Sequence, residues 1–451
     1  MASEDSGSSG RREGAPGAPT RHPVNWQDPD FYHEEALFRE LDRVFDICHG
    51  CRRCFSLCNA FPLLFDAIDE TASGEPAGLD RQTVYWDVVD QCYLCDMCFM
   101  TKCPYVPPHE WQVDVPHLML RAKAVKHKAG KSRARDKLLT STDWVGRLAG
   151  IPVVAGVVNA ANRSRPGRAL LDQCLGVHPA AHLPDYHSRT LSKRLAGHQS
   201  DHSARASAET RGRVVLFGTC YGNYNEPQLG EDLLAVFEHN GIPVQVMAHR
   251  HCCGMPKLEL GDLDAVRQAM EHNIPVLAQY VDQEWDVVAP VPSCVLMFKQ
   301  ELPLLFPADP RVAKVRDAFF DPFEYLALRH RRGLLNTDFK RALGSVAYHV
   351  PCHLRVQNIG LKTRDILALV PGTRIEVIER CSGHDGTYGV KREYHDTAMK
   401  IGRPVVGRVK KAQARHYSSD CPMAGHQIAQ GLNDGSAPVH PLTLLRQAYA
   451  L

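Results

Sequence analysis

The sequence predicts an α+β multidomain protein in which a helical, cysteine-bearing domain precedes a duplicated α/β domain with parallel strands. Three observations carry this reading. Among 451 residues there are 16 cysteines, and eight of them fall in two short runs near the N-terminus. Beyond residue 212, short apolar strands alternate with helical segments, the order of a parallel sheet covered by helices. The cysteines at the ends of those strands recur at a nearly constant interval, which marks an internal duplication. The chain is also too long for one ordinary core, so several domains are expected.

Composition limits the function classes. Lys plus Arg total 53 against 51 for Asp plus Glu, a formal net charge of +2, so nothing in the total charge asks for nucleic acid. Residues 1–27, rich in Gly, Ser and Pro over most of their length, read as a disordered tail with no signal peptide. The stretch "GIPVVAGVVNAA" at 150–161 is well short of the roughly 20 residues that span a bilayer, and no transmembrane helix is expected. Thiols in a chain without an export signal face a reducing cytoplasm, where clusters of cysteine mean metal or redox chemistry more often than disulfides.

The first domain, 28–120, opens with "DPDFYHEEALFRELDRVFDI". Asp28 suits a helix cap, Pro29 a first turn, and Phe38, Leu41 and Phe45 recur at helical spacing. The helix leads into Cys48-x2-Cys51-x2-Cys54-x3-Cys58, and a second run follows with Cys92, Cys95, Cys98 and Cys103. Tetrahedral zinc usually draws its ligands as two separated pairs, whereas two C-x2-C-x2-C triplets suit cubane iron-sulfur clusters. The pattern resembles two-cluster bacterial ferredoxins, in which the fourth cysteine of each run serves the other run's cluster. That resemblance implies a ferredoxin-like domain with two [4Fe-4S] clusters, one on Cys48, Cys51, Cys54 and Cys103 and the other on Cys92, Cys95, Cys98 and Cys58. Asn59 replaces the usual proline, and four residues rather than three separate Cys98 from Cys103.

Residues 121–212 read as a basic helical connector and linker. "LRAKAVKHKAGKSRARDK" holds eight Lys or Arg against Asp136 alone, the composition of a solvated helix, of one lying on an anionic membrane surface or of one gripping an acidic partner. The lone Cys174 in "LLDQCLG" reads as a core residue.

The repeats follow at 213–342 and 343–451. "RVVLFGTC", "VQVMAHRHCCG" and "WDVVAPVPSC" return as "SVAYHVPC", "RIEVIERCSGHDG" and "ARHYSSDC". Cys220, Cys252 and Cys294 therefore correspond to Cys352, Cys381 and Cys421, at offsets of 132, 129 and 127 residues. Ligands of open parallel sheets bind beyond the carboxyl ends of the strands. Cys220, Cys252, Cys253, Cys294, Cys352, Cys381 and Cys421 all lie at such ends, so seven thiols are expected on one face as a candidate third metal site. Gly254 and Gly383 allow close turns there.

"HCCGMP", with Cys220 upstream and "PSC" downstream, resembles the CCG domain of heterodisulfide reductase-type proteins. Joined to a two-cluster module it is similar to the iron-sulfur subunits of anaerobic glycerol-3-phosphate dehydrogenase and of glycolate or lactate oxidases. The likeness is nearest to a heterodisulfide reductase-related subgroup associated with rubrerythrin. The family pattern has five cysteines per repeat, whereas Val291, Ser382 and Ser418 stand at three of those positions. The resemblance implies a further iron-sulfur cluster, zinc or no metal in these repeats. His249, His251, His349, His353 and His384 crowd the same loops as ligands, proton carriers or polar neighbours of sulfur, and His353 and His384 are the two to test.

No G-x-G-x-x-G and no G-x4-G-K-[ST] motif is found, so the chain reads as an oxidoreductase component that receives electrons rather than a complete dehydrogenase. It is expected to pass electrons between a flavoprotein dehydrogenase or a rubrerythrin-like redox protein and a quinone, disulfide or protein acceptor. Two alternatives are a disulfide-reducing enzyme with a metal cluster in the repeats and a zinc or iron redox sensor. The expected location is cytoplasmic, with a peripheral position at the inner membrane face allowed by the basic stretch.

Overall fold

The computed structural model describes residues 19–247 and 251–451. Residues 1–18 of the expected tail and His249 lie outside the described residues.

The N-terminal module is built from helices α1 (Glu34–Cys51), α2 (Ala60–Asp69), α3 (Trp86–Gln91) and α4 (Val115–Lys128). The expected first helix is divided. Asp28 caps a separate 3-10 turn, Pro29–Tyr32, and the Nδ1 of His33 accepts from the Ala36 amide to start α1. Leu37, Phe38, Leu41, Val44 and Phe45 form its buried stripe, so the apolar spacing that predicts the helix also packs it. α1 ends at Cys51 because Arg52 turns left-handed, at φ 53°.

Part of the expected tail is structured. Trp26 is buried and donates its indole N–H to the Leu305 carbonyl at 3.0 Å, and the Val24 amide reaches the Leu304 carbonyl at 2.9 Å. Arg21 bonds to Asp96 at 2.7 and 3.0 Å, to Asp114 at 2.9 and 3.1 Å and to Glu301 at 3.3 Å. This one guanidinium therefore ties the tail to a cysteine loop and to the first repeat. Burial opposes the Asp114 charge, but Arg21 and His117 outweigh it and hold the carboxyl down at about 2. Arg21→Ala leaves these buried carboxylates without their cation and is expected to cost about 3–5 kcal/mol, read as a lowered denaturant midpoint in chemical unfolding.

α4 crosses the expected boundary at residue 120. Leu118, Met119, Leu120, Ala122, Ala124 and Val125 bury it in the same core as α1, so the module runs on to Lys128. The connector beyond is no free linker. Helices α5 (Ala134–Leu139), α6 (Thr142–Ala149), α7 (Pro152–Arg163) and α8 (Arg165–Leu175) lie over the repeats. They are tied there by the Lys391–Asp136 pair at 3.1 Å, the Arg392–Asp172 pair at 2.9 Å and a bridge between Val177 and Lys391. Cys174, expected in a core, is exposed on α8, because the apolar side of that helix turns toward the repeats through Leu171 and Leu175.

Each repeat is a small parallel sheet. β1 (Val214–Leu216), β2 (Val244–Val246), β3 (Asp286–Val288) and β4 (Phe319–Phe320) pair in the order β2-β1-β3-β4. β5 (Ser345–His349), β6 (Arg374–Ile378) and β7 (His416–Ser419) pair in the order β6-β5-β7. The two-residue β4 is an addition to the strands expected from sequence. Strand alternation sends Val215, Phe217 and Val287 into the core shared with the N-terminal module, and Val214, Leu216 and Val288 into the core shared with Val346 and Tyr348 of the second repeat. The first sheet is thus buried on both faces, as parallel sheets require. In each repeat the central strand has its successors on opposite sides, so a switch point opens beyond its carboxyl end.

Candidate metal centres and cysteine cavity

The eight N-terminal cysteines gather as two neighbouring sets. Burial first, then the proximity of Cys54, Cys103 and Cys51, raises the Cys48 thiol well above its usual range. Burial, then Cys103 and Cys51, pushes Cys54 up to about 12. In the second set, burial followed by nearby thiols raises Cys58 and Cys98, whose neighbours include Cys92 and, for Cys98, also Cys95 and Cys54. The chain achieves this within short loops. Leu94 and Asp96, at φ 55° and 61°, are left-handed between successive cysteines, and a π-turn at Cys98–Lys102 is closed by a 2.9 Å bond from the Cys103 amide to the Cys98 carbonyl. Such backbone is costly for side-chain-bearing residues and is kept where the site demands it. Burial disfavours the charged form of the raised thiols among these cysteines, and a cation bound in each set would favour the thiolates. The donors are all sulfur and are walled by Phe45, Leu57, Phe61, Leu64 and Val88, which fits a soft metal or metal-sulfur group.

The second set touches the second repeat. Burial, then Asp385, Cys381 and Cys58, raises Cys95, and Cys352 feels Cys95 as well as Cys381 and Cys421. The Tyr93 hydroxyl lies 3.8 Å from Cys381 Sγ. Its ring packs 5.1 Å from Tyr388, whose hydroxyl donates to Gln91 at 2.5 Å.

Beyond these contacts the repeats enclose a cavity of about 520 Å³ lined by Cys220, Cys253 and Cys294 from the first repeat and Cys352, Cys381 and Cys421 from the second. Cys252, outside that lining, lies with its Sγ 3.9 Å from that of Cys220. Contacts run from Cys220 through Cys252 and Cys253 to Cys294, so the four first-repeat thiols form one connected set. Two glycines serve the turns. Gly254 has φ 99°, and at Gly383 (φ 77°) a Cβ would lie 2.0 Å from the Ala398 carbonyl oxygen.

The histidines divide by role. His349 is held between Ser419 Oγ at 3.0 Å and the Arg380 carbonyl at 2.8 Å, and burial lowers it to about 4, so it is a neutral brace across strand ends. His251 stacks on His272 with ring centres 3.5 Å apart. His353 and His384 are different. Both line the cavity, and the Nε2 of each is buried without a hydrogen-bond partner. Cys352, His353 and Asp385 bring one ligand atom each within 4.8 Å of one another.

The comparisons with known proteins recognise the two repeats. Residues 214–299 and 346–429 match the family described as CCG, Cysteine-rich domain. Lactate utilization protein A of Bacillus cereus (strain G9842) is 30% identical over 189 residues, covering 40% of this chain and 75% of that protein. The chain belongs to the CCG cysteine-rich domain family. A subunit of the anaerobic glycerol-3-phosphate dehydrogenase of Escherichia coli (strain K12) is 29% identical over 340 residues, 75% of this CCG protein and 83% of the relative. A subunit of the fumarate reductase (CoM/CoB) of Methanothermobacter marburgensis is 28% identical over 278 residues, 58% of this chain and 53% of that one.

Within the CCG repeats the missing cysteines leave traces. Ser382 and Ser418 are buried, and the Ser418 hydroxyl has no hydrogen-bond partner. The second repeat thus presents a mixed sulfur, nitrogen and oxygen set, whereas the first keeps four thiols. Several site residues escaped the sequence reading. Thr142 donates to Cys252 Sγ at 3.5 Å, and Asp143 accepts from the Cys252 amide. Both come from α6, about a hundred residues upstream, and carry no local signal. Asp385 and Glu259 line the cavity, and "CSGHDG" does place the former four residues after Cys381.

Glu259 faces the cavity rather than outer solvent, and burial, opposed by Lys123 and Lys391, raises it from 4.5 to about 7. A carboxyl raised in the folded state binds more protons folded than unfolded between those values, so its contribution to stability falls as pH rises through that window. Glu259→Gln removes this dependence. The variant's stability advantage over the parent is expected to grow from pH 5 to pH 8 by at most about 3 kcal/mol, less whatever solvation by cavity water restores, measured by denaturant titration at both pH values.

Proposed function

We propose that this protein is an iron-sulfur electron-transfer subunit of an oxidoreductase. The observation that carries the reading is contiguity. The set Cys48, Cys51, Cys54 and Cys103 adjoins the set Cys58, Cys92, Cys95 and Cys98 through the Cys54–Cys98 proximity, and the second set adjoins Cys352 and Cys381 at the cavity. Bound there, two [4Fe-4S] clusters would supply one-electron transfer. The chain's own residues fix the sulfurs in tight loops and exclude water with an apolar wall, and they place the second set against the cavity where an acceptor docks. The domains follow this division: a cluster module to Lys128, a helical cover to about residue 212, and two CCG repeats.

Two relatives are named as subunits, which supports a partner for this chain as well. A flavoprotein dehydrogenase is the donor or acceptor on the module side. A quinone, disulfide or protein serves on the cavity side, and the protein works in the cytoplasm or at its membrane surface. One observation favours zinc in the second repeat, the Cys352–His353–Asp385 set, because mixed donors suit it better than they suit an iron-sulfur cluster.

The test is metal and labile sulfide analysis on anaerobically purified protein with low-temperature spin resonance. About eight irons with signals from two interacting cubanes are expected. Zinc in their place, with no labile sulfide, sinks the reading in favour of a sensor, and about twelve irons with a further distinct signal adds a cluster at the first repeat.

A further inference from the structure

Arg21 reaches from the tail segment into the loop of the second cysteine set. Its Nη1 donates to one oxygen of Asp96 at 2.7 Å and its Nη2 to the other at 3.0 Å, a two-pronged grip on a single carboxylate. Asp96 stands between Cys95 and Cys98. Burial raises the neighbouring Cys92 thiol, Lys123 and the Leu94 amide oppose the rise, and Asp96 and Asp385 add to it, so the Asp96 charge is felt by a sulfur of this set. The Arg21 side chain is 10% exposed and that of Asp96 5%, and charges so enclosed act on their neighbours with little screening.

The guanidinium is fixed from several sides. It lies 4.7 Å from the centre of the Phe99 ring. It also bonds to Asp114, which caps α4 by accepting from the His117 amide at 3.1 Å, and to Glu301 of the first repeat. His117 completes the cluster at 3.4 Å from Asp114 and 3.3 Å from Glu301. Cations closer in sequence serve elsewhere. Lys102 and Arg53 oppose the burial-driven rise of Cys54 in the first set, and Lys123 acts on Cys92 from α4. Among the described residues Arg21 is the one cation paired with Asp96. A buried ion pair is by itself a poor tie, because desolvation offsets its attraction. An apolar contact, Trp26 on Phe306 with 5.7 Å between ring centres, already fastens the segment. What the pair adds is a fixed charge balance beside four sulfurs.

We propose that Arg21 is a positioning residue for electron transfer: its fork neutralises Asp96 and so keeps the group bound by Cys58, Cys92, Cys95 and Cys98 easier to reduce than Asp96 alone would allow. The inference rests on the electron-transfer reading above. Uptake of an electron adds negative charge, which a bare carboxylate in the cysteine loop opposes and a paired one opposes far less. Net charge and hydrogen bonding around the sulfurs are what set such potentials. The step served is the transfer of one electron from a reduced flavoprotein-class donor, in which no bond forms or breaks.

The experiment is a potentiometric titration of the full chain with its metals, followed by low-temperature spin resonance and run at a single pH so that His117 keeps one state. Two one-electron waves are expected from the parent. In Arg21→Gln one wave should become harder to reduce, by about tenfold in the ratio of reduced to oxidised form at a fixed potential, or about 59 mV. The other wave should move by less than about twofold in that ratio. Asp96→Asn should move the first wave in the opposite direction, and asparagine tolerates the left-handed backbone of position 96, φ 61°. The double variant should lie within about threefold of the parent ratio, and Arg21→Lys, which keeps the charge without the fork, should lie between the parent and Arg21→Gln. Iron content and the thermal midpoint show which variants fold, and Asp96→Asn alone carries the test if Arg21→Gln does not. A lowered midpoint with both waves unmoved overturns the proposal and leaves Arg21 a structural tie. Equal movement of both waves overturns it too. So does a shift in Arg21→Gln that the second substitution fails to reverse, because the shape of the loop rather than its charge would then be the cause. Parent protein without cubane signals overturns the electron-transfer reading and this inference together, whereas parent waves that do not respond to Asp96→Asn overturn the inference alone.

Discussion

Cys95→Ser is expected to remove about four of the irons and to slow electron delivery to the cavity by about a hundredfold or more, while the repeats stay folded. Cys95 is the N-terminal thiol most closely engaged with the second repeat. Burial, Asp385, Cys381 and Cys58 all raise it, and Cys352 feels it in turn. Serine offers a hard oxygen that is hard to deprotonate, a poor replacement for a soft thiolate. The strands of the two repeats also pack on each other through Val214, Leu216, Val346 and Tyr348, a core this loop does not enter, so circular dichroism should change little. Iron and sulfide assays, together with turnover from a soluble reductant to an acceptor, check the result. Undiminished turnover with half the iron lost would remove the module from the electron path.

The strand ends and the cysteine runs were legible because their signals are local. A three-residue strand such as β1 can be read from "VVL" between a basic residue and a glycine turn, and its cysteine follows within four residues. The duplication then doubles every such signal. What the sequence concealed depends on contacts distant in the chain. Arg21 looked like part of a featureless tail because its three acidic partners lie 75, 93 and 280 residues away. α6 to α8 were legible only as part of a basic helical connector because their apolar residues serve two surfaces at once, the cavity and the exterior, which blurs the single stripe of an ordinary amphipathic helix. The bonds from Thr142 and Asp143 to Cys252 follow from that cover and had no separate trace. The boundary at residue 120 failed for a simpler reason: the basic run begins inside α4, whose charges and buried stripe share the same turns.

Cys253→Ser separates the cavity from the clusters that feed it. Cys253 is 3% exposed and stands between Cys252 and Cys294 in the connected thiol set of the first repeat, and the thiols that act on it, Cys252, Cys294 and Cys220, all belong to that repeat. The variant is therefore expected to keep about eight irons and their spin signals. Turnover with a disulfide or quinone should nonetheless fall by about a hundredfold or more if the first repeat performs the terminal step. His353→Ala makes the complementary test in the second repeat. It removes the one nitrogen of the Cys352–His353–Asp385 set, so zinc content should drop while iron stays constant. Loss of turnover in Cys253→Ser alone assigns the chemistry to the four-thiol repeat and leaves the second as a structural partner whose serines have relaxed its ligand set. Loss in both variants makes the two repeats one site across the cavity, and retention in both leaves the cavity as a docking surface through which electrons pass directly from the module.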